Sequence, residues 1–200
     1  MSARWMVAVV DRSQGGGRRL RHFRKWSMAS GSDLSGDQAF GFLTVCDAAG
    51  TGTFGGYLLV DLSGRPLEFH CTAPVRVTRA QEILYGATLT RQLHGEQIGG
   101  PLLKATAVRP VAVLTDRESL LHARPHAPSP VVVVRPGSEL STDGEAGELR
   151  LGGFTVQPHS DDAGQWESLR EQLTALAKSI ELVEPFERIQ AAIEEAQRHS

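Results

Sequence analysis

The chain has 200 residues, of which 40% are hydrophobic and 22% are charged, and its formal net charge is −2. This length and composition suffice for one to one and a half domains with a buried core, and they exclude a wholly disordered, a collagen-like or a membrane-embedded chain. The small net charge excludes a generally basic nucleic-acid-binding protein, although it does not exclude a local basic patch.

The first 27 residues carry most of the local excess of positive charge. They hold seven basic residues against one acidic residue, which leaves 14 basic and 22 acidic residues in the rest of the chain. We predict a basic N-terminal segment and linker over residues 1–36, because a Ser/Gly-rich stretch follows the basic run. An apolar run over residues 5–10 is too short for a signal peptide or a membrane span, which need about 7–15 and about 20 apolar residues.

The basic segment is the one concentrated positive cluster with aromatic residues, Phe23 and Trp26, interleaved in it. Guanidinium groups can pair with phosphates, and aromatic rings can stack on bases. The alternative is a solvated arm that neutralises acidic groups of this chain or of an acidic protein partner. The candidate polyanion-binding or partner-binding residues are Arg18, Arg19, Arg21, Arg24 and Lys25.

Residues 40–72 predict a three-stranded antiparallel meander, with strands over 40–46, 54–61 and 66–72 separated by glycine-containing turns. A Thr followed three residues later by Gln, at Thr78 and Gln81, is typical of a capping box at the start of a helix. The apolar face of this helix, with Ile83 and Leu84, predicts that it covers the sheet.

The rest of the middle region predicts short elements. Gly95 and the glycines at 99–100 interrupt the helix, with a shorter helix possible over residues 102–105. Buried strands are expected over 111–115 and 131–134, with Asp116 capping a brief helix between them. A proline-rich extended stretch over 124–130, a loop over 136–147 and a final strand over 148–156 complete an α+β domain over residues 37–158.

The C-terminal residues, 159–200, predict a helical pair. Helical spacing of apolar residues begins at Trp166, with Asp162 as the expected cap, and the second helix begins at Glu184–Pro185. The apolar stripe of this second helix is the better candidate for a partner surface, and it consists of Phe186, Ile189 and Ile193. The predicted fold class is therefore α+β, an antiparallel meander with a covering helix, further short strands and a C-terminal helical pair.

Each known catalytic or binding motif that the sequence partly matches lacks some of its required residues or spacing. His70 and Cys71 are neighbours on a strand and point to opposite faces, so Cys71 is expected to be a buried, inert thiol. His94 and Glu96 match half of the zinc-deaminase signature, but its cysteine half is absent from the sequence.

Two histidines, His122 and His126, have the spacing of metal ligands on a helix, but Pro125 lies between them. The two glycine-rich loops lack the spacings of a P-loop and of a dinucleotide-binding turn. We therefore expect no metal, no cofactor and no catalytic residue.

These failures favour a non-catalytic interaction or regulatory subunit of a bacterial cytoplasmic protein assembly, with another protein as its partner and no membrane contact. Two cysteines without a Cys-x-x-Cys spacing agree with a reducing, cytoplasmic setting. The alternatives are a nucleic-acid-associated protein that uses the basic segment, or an enzyme with scattered catalytic residues. For such an enzyme the candidates are Cys46, His70, His94 and Asp116.

Overall fold

The computed structural model describes residues 7–10 (backbone only), 38–48, 50–137 and 147–198. In these residues, eight strands form a single mixed sheet in the order β1-β4-β3-β2-β5-β6-β8-β7. The strands are β1 (Val7–Val10), β2 (Ala39–Ala48), β3 (Gly52–Asp61), β4 (Pro66–Thr72), β5 (Ala112–Thr115), β6 (Val131–Pro136), β7 (Leu149–Leu151) and β8 (Phe154–Pro158).

The described residues also form four α-helices, a π-helix and several 3-10 helices. The α-helices are α1 (Arg79–Tyr85), α2 (Gly100–Ala105), α3 (Trp166–Ser179) and α4 (Glu184–Arg198). A π-helix spans Arg91–Gly99, and 3-10 helices span Gly86–Thr88, Glu118–His126 and Ser160–Gln165.

The sheet combines antiparallel and parallel pairing. Strands β2, β3 and β4 form the predicted antiparallel meander, whereas β5 pairs parallel to β2, and β6 pairs parallel to β5. Strand β1 adds to the meander in parallel with β4. The predicted α+β class and its meander are confirmed.

The predicted final strand over residues 148–156 is instead an antiparallel pair, β7 and β8. The chain reverses between them at Gly152, whose φ of +61° is a conformation that side chains with a Cβ rarely adopt.

Each face of the sheet has its own apolar core. On one face, alternate side chains such as Phe40, Phe42 and Leu58 pack against α3 and α4. On the other face, side chains such as Leu43 and Tyr57 pack with residues of the π-helix and α2. The alternation of strand side chains therefore lets a single sheet support two helical layers.

The apolar stripe of α4, Phe186, Ile189 and Ile193, lies in the first of these cores and is at most 3% exposed. Phe42 contacts the ring of Phe186 edge to face, with the ring centroids 5.3 Å apart. The stripe that was predicted to bind a partner is therefore buried against the chain's own sheet.

Helix α1 begins at the predicted capping box, in which Thr78 and Gln81 bond reciprocally. It does not cover the sheet, however, because none of its residues is buried. Ile83 and Leu84 are 67% and 83% exposed, and Tyr85 is 38% exposed. The π-helix and α2 provide the cover instead.

The glycines that were expected to interrupt the helix lie inside the π-helix and at the start of α2. A Cβ on Gly95 would lie 2.9 Å from the carbonyl oxygen of His122, and one on Gly99 would lie 2.7 Å from the Cβ of Ala123. These glycines therefore permit close packing against the 3-10 helix Glu118–His126, and this tertiary contact offsets their low helix propensity.

Within the described part of the chain, no helix combines the length and the apolar character that a membrane crossing requires.

Candidate functional site

The parallel strands bring their carboxyl ends to one edge of the sheet, which we call the carboxyl edge. It is formed by the ends of β2, β4, β5 and β6. The order of the sheet reverses at β2, because β3 continues from it on one side and β5 lies on its other side. Ligands of open α/β sheets bind outside the carboxyl ends of strands at such a reversal, so this edge is the candidate site.

Three of the four residues named as candidates for an enzyme meet at this edge. Cys46 is near the end of β2, and Asp116 directly follows β5. Burial is the main cause that raises the pKa of the Cys46 thiol to about 11, with a further contribution from Asp116. His94 enters from the π-helix, and the charge of Asp47 acts on its pKa.

Only one of the two carboxylate oxygens of Asp116 has a partner. Its Oδ2 lies 3.5 Å from Nε of Arg117, whereas its Oδ1 is buried without a hydrogen-bond partner. The register that pairs Leu43 with Thr115 places Thr44 beside Asp116 on the same face of the sheet. Thr44 is fully buried, and its hydroxyl oxygen also has no partner. Two buried polar groups are thus left without a hydrogen-bond partner near the end of β5.

His94 contacts a residue that the sequence did not single out. Its Nδ1 lies 2.7 Å from Oγ of Ser119, in the first turn of the 3-10 helix Glu118–His126. Burial lowers the pKa of His94; Asp47 opposes this effect and Arg117 adds to it. The imidazole is therefore neutral near pH 7.

The surroundings of these residues are charged and partly solvated. Thr53 donates a hydrogen bond of 2.6 Å to Oδ1 of Asp47 across the β2–β3 hairpin. Arg135, near the end of β6, pairs with Glu118. The carboxyl edge therefore carries both signs of charge rather than a single acidic or basic surface.

The other predicted residues lie elsewhere. His70 lies two residues before the end of β4, is buried and contacts Glu68 at 3.0 Å. Hydrogen bonds from His70 and Thr106 outweigh burial, which acts in the opposite direction, and lower the pKa of Glu68. Cys71 is buried, and burial raises its pKa to about 11. The predicted basic residues Arg18, Arg19, Arg21, Arg24 and Lys25 lie outside the described residues.

His122 and His126 belong to a 3-10 helix that continues through Pro125, not to an extended stretch. Because residues three apart share a face of a 3-10 helix, this pair at a spacing of four does not. His126 contacts Glu96 of the π-helix at 2.9 Å. Among the described residues, no cluster of three or more His, Cys, Asp or Glu side chains has the arrangement of a metal site.

Sequence reasoning missed Ser119 and Asp47. The available signal was the position of Asp47 and Asp116 near the ends of two apolar strands, since parallel pairing of these strands brings the two positions to one edge. Nothing in the spacing of Ser119 indicated its contact with His94, because the two residues belong to different helices.

No protein-family model matches the chain, and no curated protein matches it. Among solved structures, it is similar to Ciona intestinalis Endonuclease V in complex with an inosine-containing DNA, with a TM-score of 0.45, 10% identity, and coverage of 82% of this chain and 89% of that one. It is also similar to human ENDOV, with a TM-score of 0.43, 14% identity, and coverage of 82% and 86%. Marinitoga piezophila Argonaute in complex with a guide RNA matches with a TM-score of 0.35, 11% identity, and coverage of 70% and 26%.

The prediction of a non-catalytic interaction or regulatory subunit is wrong by these comparisons, because the similar structures are endonucleases V and an Argonaute. The alternative retained in the sequence analysis, a nucleic-acid-associated protein or an enzyme with scattered residues, agrees with them better. At this level of similarity the comparisons assign no residue of this chain a role.

Proposed function

We propose that this chain is a nucleic-acid-associated protein that binds a strand at the carboxyl edge of its sheet. The observation that carries the proposal is the exposed helix α1, which combines unburied arginine and aromatic side chains and follows a segment that is bonded to that edge. The sequence placed nucleic-acid binding in the basic N-terminal segment, whereas this proposal adds a surface built by the folded domain.

The segment before α1 is held to the β2–β3 hairpin. Val75 forms a bridge with Thr53, and Nε of Arg76 donates a hydrogen bond of 2.8 Å to the carbonyl oxygen of Thr51. Helix α1 starts three residues later, so it follows directly on a segment that is bonded to the hairpin at the carboxyl edge. None of its residues is buried.

The exposed groups of this region suit a nucleic-acid strand. Arg76, Arg79 and Arg117 present guanidinium groups, which pair with phosphate oxygens. Tyr85 exposes part of its ring, and a base can stack on such a ring whatever its sequence. Strand β1 ends at the same edge, because its Val10 lies opposite Thr72.

The test is binding of fluorescently labelled single-stranded and double-stranded DNA and RNA by the full chain, measured by anisotropy over a range of salt concentrations. Replacing Arg76, Arg79 and Arg117 by Gln is expected to weaken binding at least about tenfold and to reduce the salt slope by about 0.7–0.9 per lost phosphate contact. Tyr85→Ala is expected to weaken single-strand binding by about 1–3 kcal/mol, whereas Tyr85→Phe keeps it.

The matched control replaces two exposed cations of α3, Arg170 and Lys178, by Gln. They lie beside Leu62, at the opposite edge of the sheet, and their loss should leave the affinity within about twofold. Equal losses in the control and edge variants would refute the proposed surface. A loss of affinity that occurs only when Arg18, Arg19, Arg21 and Arg24 are replaced by Gln would also refute the proposed surface.

A further inference from the structure

The contact between His94 and Ser119 joins two helices that are packed unusually closely. The hydrogen bond between Oγ of Ser119 and Nδ1 of His94 is 2.7 Å long, and both side chains are only partly buried. Close packing of Gly95 against His122 and the contact between Glu96 and His126 hold the two helices together directly after this bond. The pair is therefore fixed in position and remains open to solvent.

The protonation states suit proton transfer from the serine. A neutral imidazole carries its proton on only one ring nitrogen. In the tautomer with that proton on Nε2, Nδ1 accepts the hydroxyl proton of Ser119, and this is the tautomer that the proposal requires. The pKa of His94 is lowered mainly by burial, so the imidazole remains available as a base at pH 7. A hydroxyl that donates to a neutral histidine is the resting arrangement of an activated nucleophile.

Two further observations separate this contact from an ordinary helix-packing bond. His94 lies inside a nine-residue π-helix, and π-helical segments are rare and are frequent at functional sites. The pair also lies beside the carboxyl edge, where Arg117, whose side chain is 53% exposed, supplies a positive charge next to His94. An anionic substrate would meet this guanidinium first.

We propose that Ser119 is a nucleophile and His94 its general base, acting on phosphoric esters. The natural substrate class, a nucleic-acid phosphodiester, rests on the function proposed above. Oγ of Ser119 attacks phosphorus while its proton passes to Nδ1 of His94, and the bond from phosphorus to the leaving oxygen breaks. His94 returns the proton to that oxygen, which leaves a phosphodiester on Ser119.

Water then attacks the phosphorus of this intermediate, with His94 accepting the proton of the water. The bond from phosphorus to Ser119 breaks, and the serine oxygen recovers the proton from His94. The net reaction is hydrolysis of one phosphodiester, and it consumes one water molecule. Arg117 offsets the negative charge of the non-bridging oxygens in both steps.

The experiment uses a fluorophosphonate probe on the full chain, because this reagent tests the serine without any nucleic acid. Attack by Oγ of Ser119 forms the phosphorus–oxygen bond, expels fluoride and transfers the serine proton to His94. We expect one adduct per chain, mapped to Ser119 by mass spectrometry of the digested protein. Ser119→Ala is expected to remove the adduct, and the matched control Ser168→Ala, at an exposed serine of α3, to leave it unchanged.

The role of His94 is tested by the labelling rates of its variants and by the pH dependence of labelling. His94→Gln is expected to slow labelling at least about hundredfold, and added imidazole is expected to restore part of the rate in His94→Ala. In the unchanged protein the rate should fall at acidic pH, with a midpoint below the ordinary pKa of histidine, because burial lowers the pKa of His94 and the base is lost when it takes up a proton. Equal thermal midpoints for the unchanged protein and Ser119→Ala show that loss of the adduct is not a loss of the fold.

Absence of an adduct on Ser119 in a folded protein that binds nucleic acid would overturn the nucleophile and leave the proposed function standing. Labelling of Ser119 in a protein that binds no nucleic acid would instead overturn the phosphodiester substrate. Labelling that is as fast in His94→Gln as in the unchanged protein would overturn the assignment of the base.

Discussion

Asp162 is a buried carboxylate that joins separate segments of the chain. Its two oxygens accept hydrogen bonds of 2.7–2.9 Å from Nε and one terminal nitrogen of Arg124, and Oδ2 also accepts one of 3.0 Å from the backbone of Val131. It therefore links two 3-10 helices to the start of β6. The sequence suggested a helix cap at this position, but Gln165 is the residue that precedes α3.

Asp162→Ala is expected to lower the free energy of unfolding by about 3–5 kcal/mol, because it leaves the guanidinium of Arg124 and the amide of Val131 without their partner. Chemical denaturation followed by circular dichroism measures this loss. The control is Glu82→Gln, which breaks the exposed ion pair with Arg79 and is expected to cost less than about 1 kcal/mol. Similar losses in the two variants would contradict a structural role for Asp162.

The two cysteines are expected to react slowly with iodoacetamide in the folded protein. Burial raises both pKa values from 9.0 to about 11, so the thiolate fraction at pH 8 falls about a hundredfold relative to an exposed thiol. Labelling rates should rise about tenfold per pH unit up to about pH 11. Mass spectrometry of Cys46 and Cys71 measures the rates, with the urea-unfolded chain as the control; fast labelling of Cys71 without unfolding would refute its burial.

At the scale of elements, two adjacent glycines of β3 determine how closely the helices approach the sheet. A Cβ on Gly55 would lie 2.1 Å from Cγ2 of Ile98 in the π-helix, and one on Gly56 would lie 2.2 Å from Cγ2 of Ile189 in α4. Neighbouring residues of a strand point to opposite faces, so each glycine admits one helical layer. Both glycines lie within the strand that the sequence predicts over residues 54–61.

Gly56→Ala is expected to lower the free energy of unfolding by about 1–3 kcal/mol, because the added methyl group overlaps Ile189. Ile189→Leu, which removes the Cγ2 methyl group, should restore part of this loss in the double variant. Gly153→Ala is the control, since a Cβ there has no neighbour within 4 Å, and it should change stability by less than about 0.5 kcal/mol. Thermal unfolding of the four proteins distinguishes overpacking from a general effect of losing glycine.

The elements that could be predicted from the sequence are those with local signals. The strand over residues 66–72 and the capping box at Thr78 are indicated without reference to distant residues, and both predictions are confirmed. The π-helix could not be predicted, because its glycines are tolerated only through contacts with residues such as Ala123. Ile83 and Leu84 have the spacing of a buried face, but nothing in the described structure packs over them. Spacing along the sequence does not show whether a packing partner is present.

For the whole molecule, the single sheet with two helical layers makes the C-terminal helices part of the core. Helices α3 and α4 cover one face, and the side chains of both belong to the same apolar cluster as Phe40 and Phe42. The carboxyl edge is a product of this overall topology. Cys46, His94 and Asp116 could be named from the sequence, but their convergence depends on the parallel pairing of β2 with β5 and on helix packing.

Truncation after Val183 is expected to abolish cooperative folding, because it exposes the sheet face beneath α4. The apolar side chains Phe186, Ile189 and Ile193 are worth about 1.5–3 kcal/mol each, against a total stability of about 5–15 kcal/mol for a typical domain. Size-exclusion chromatography and thermal unfolding should show aggregation. Truncation after Gln197, which keeps the whole buried stripe, should remain folded; a stable monomer ending at Val183 would show that α4 is dispensable.

Strand β1 is made first during synthesis, yet its partner in the sheet lies far along the chain. Val7 pairs with Phe69 and Val10 with Thr72, so β1 cannot join the sheet until the whole meander has left the ribosome. Until then β4 presents a free row of amide and carbonyl groups, the kind of surface that recruits strands from other molecules. Pairing over such a sequence separation is slow. The nascent chain therefore passes through an interval in which the unpaired edge of β4 is open to self-association, and docking of β1 ends that interval.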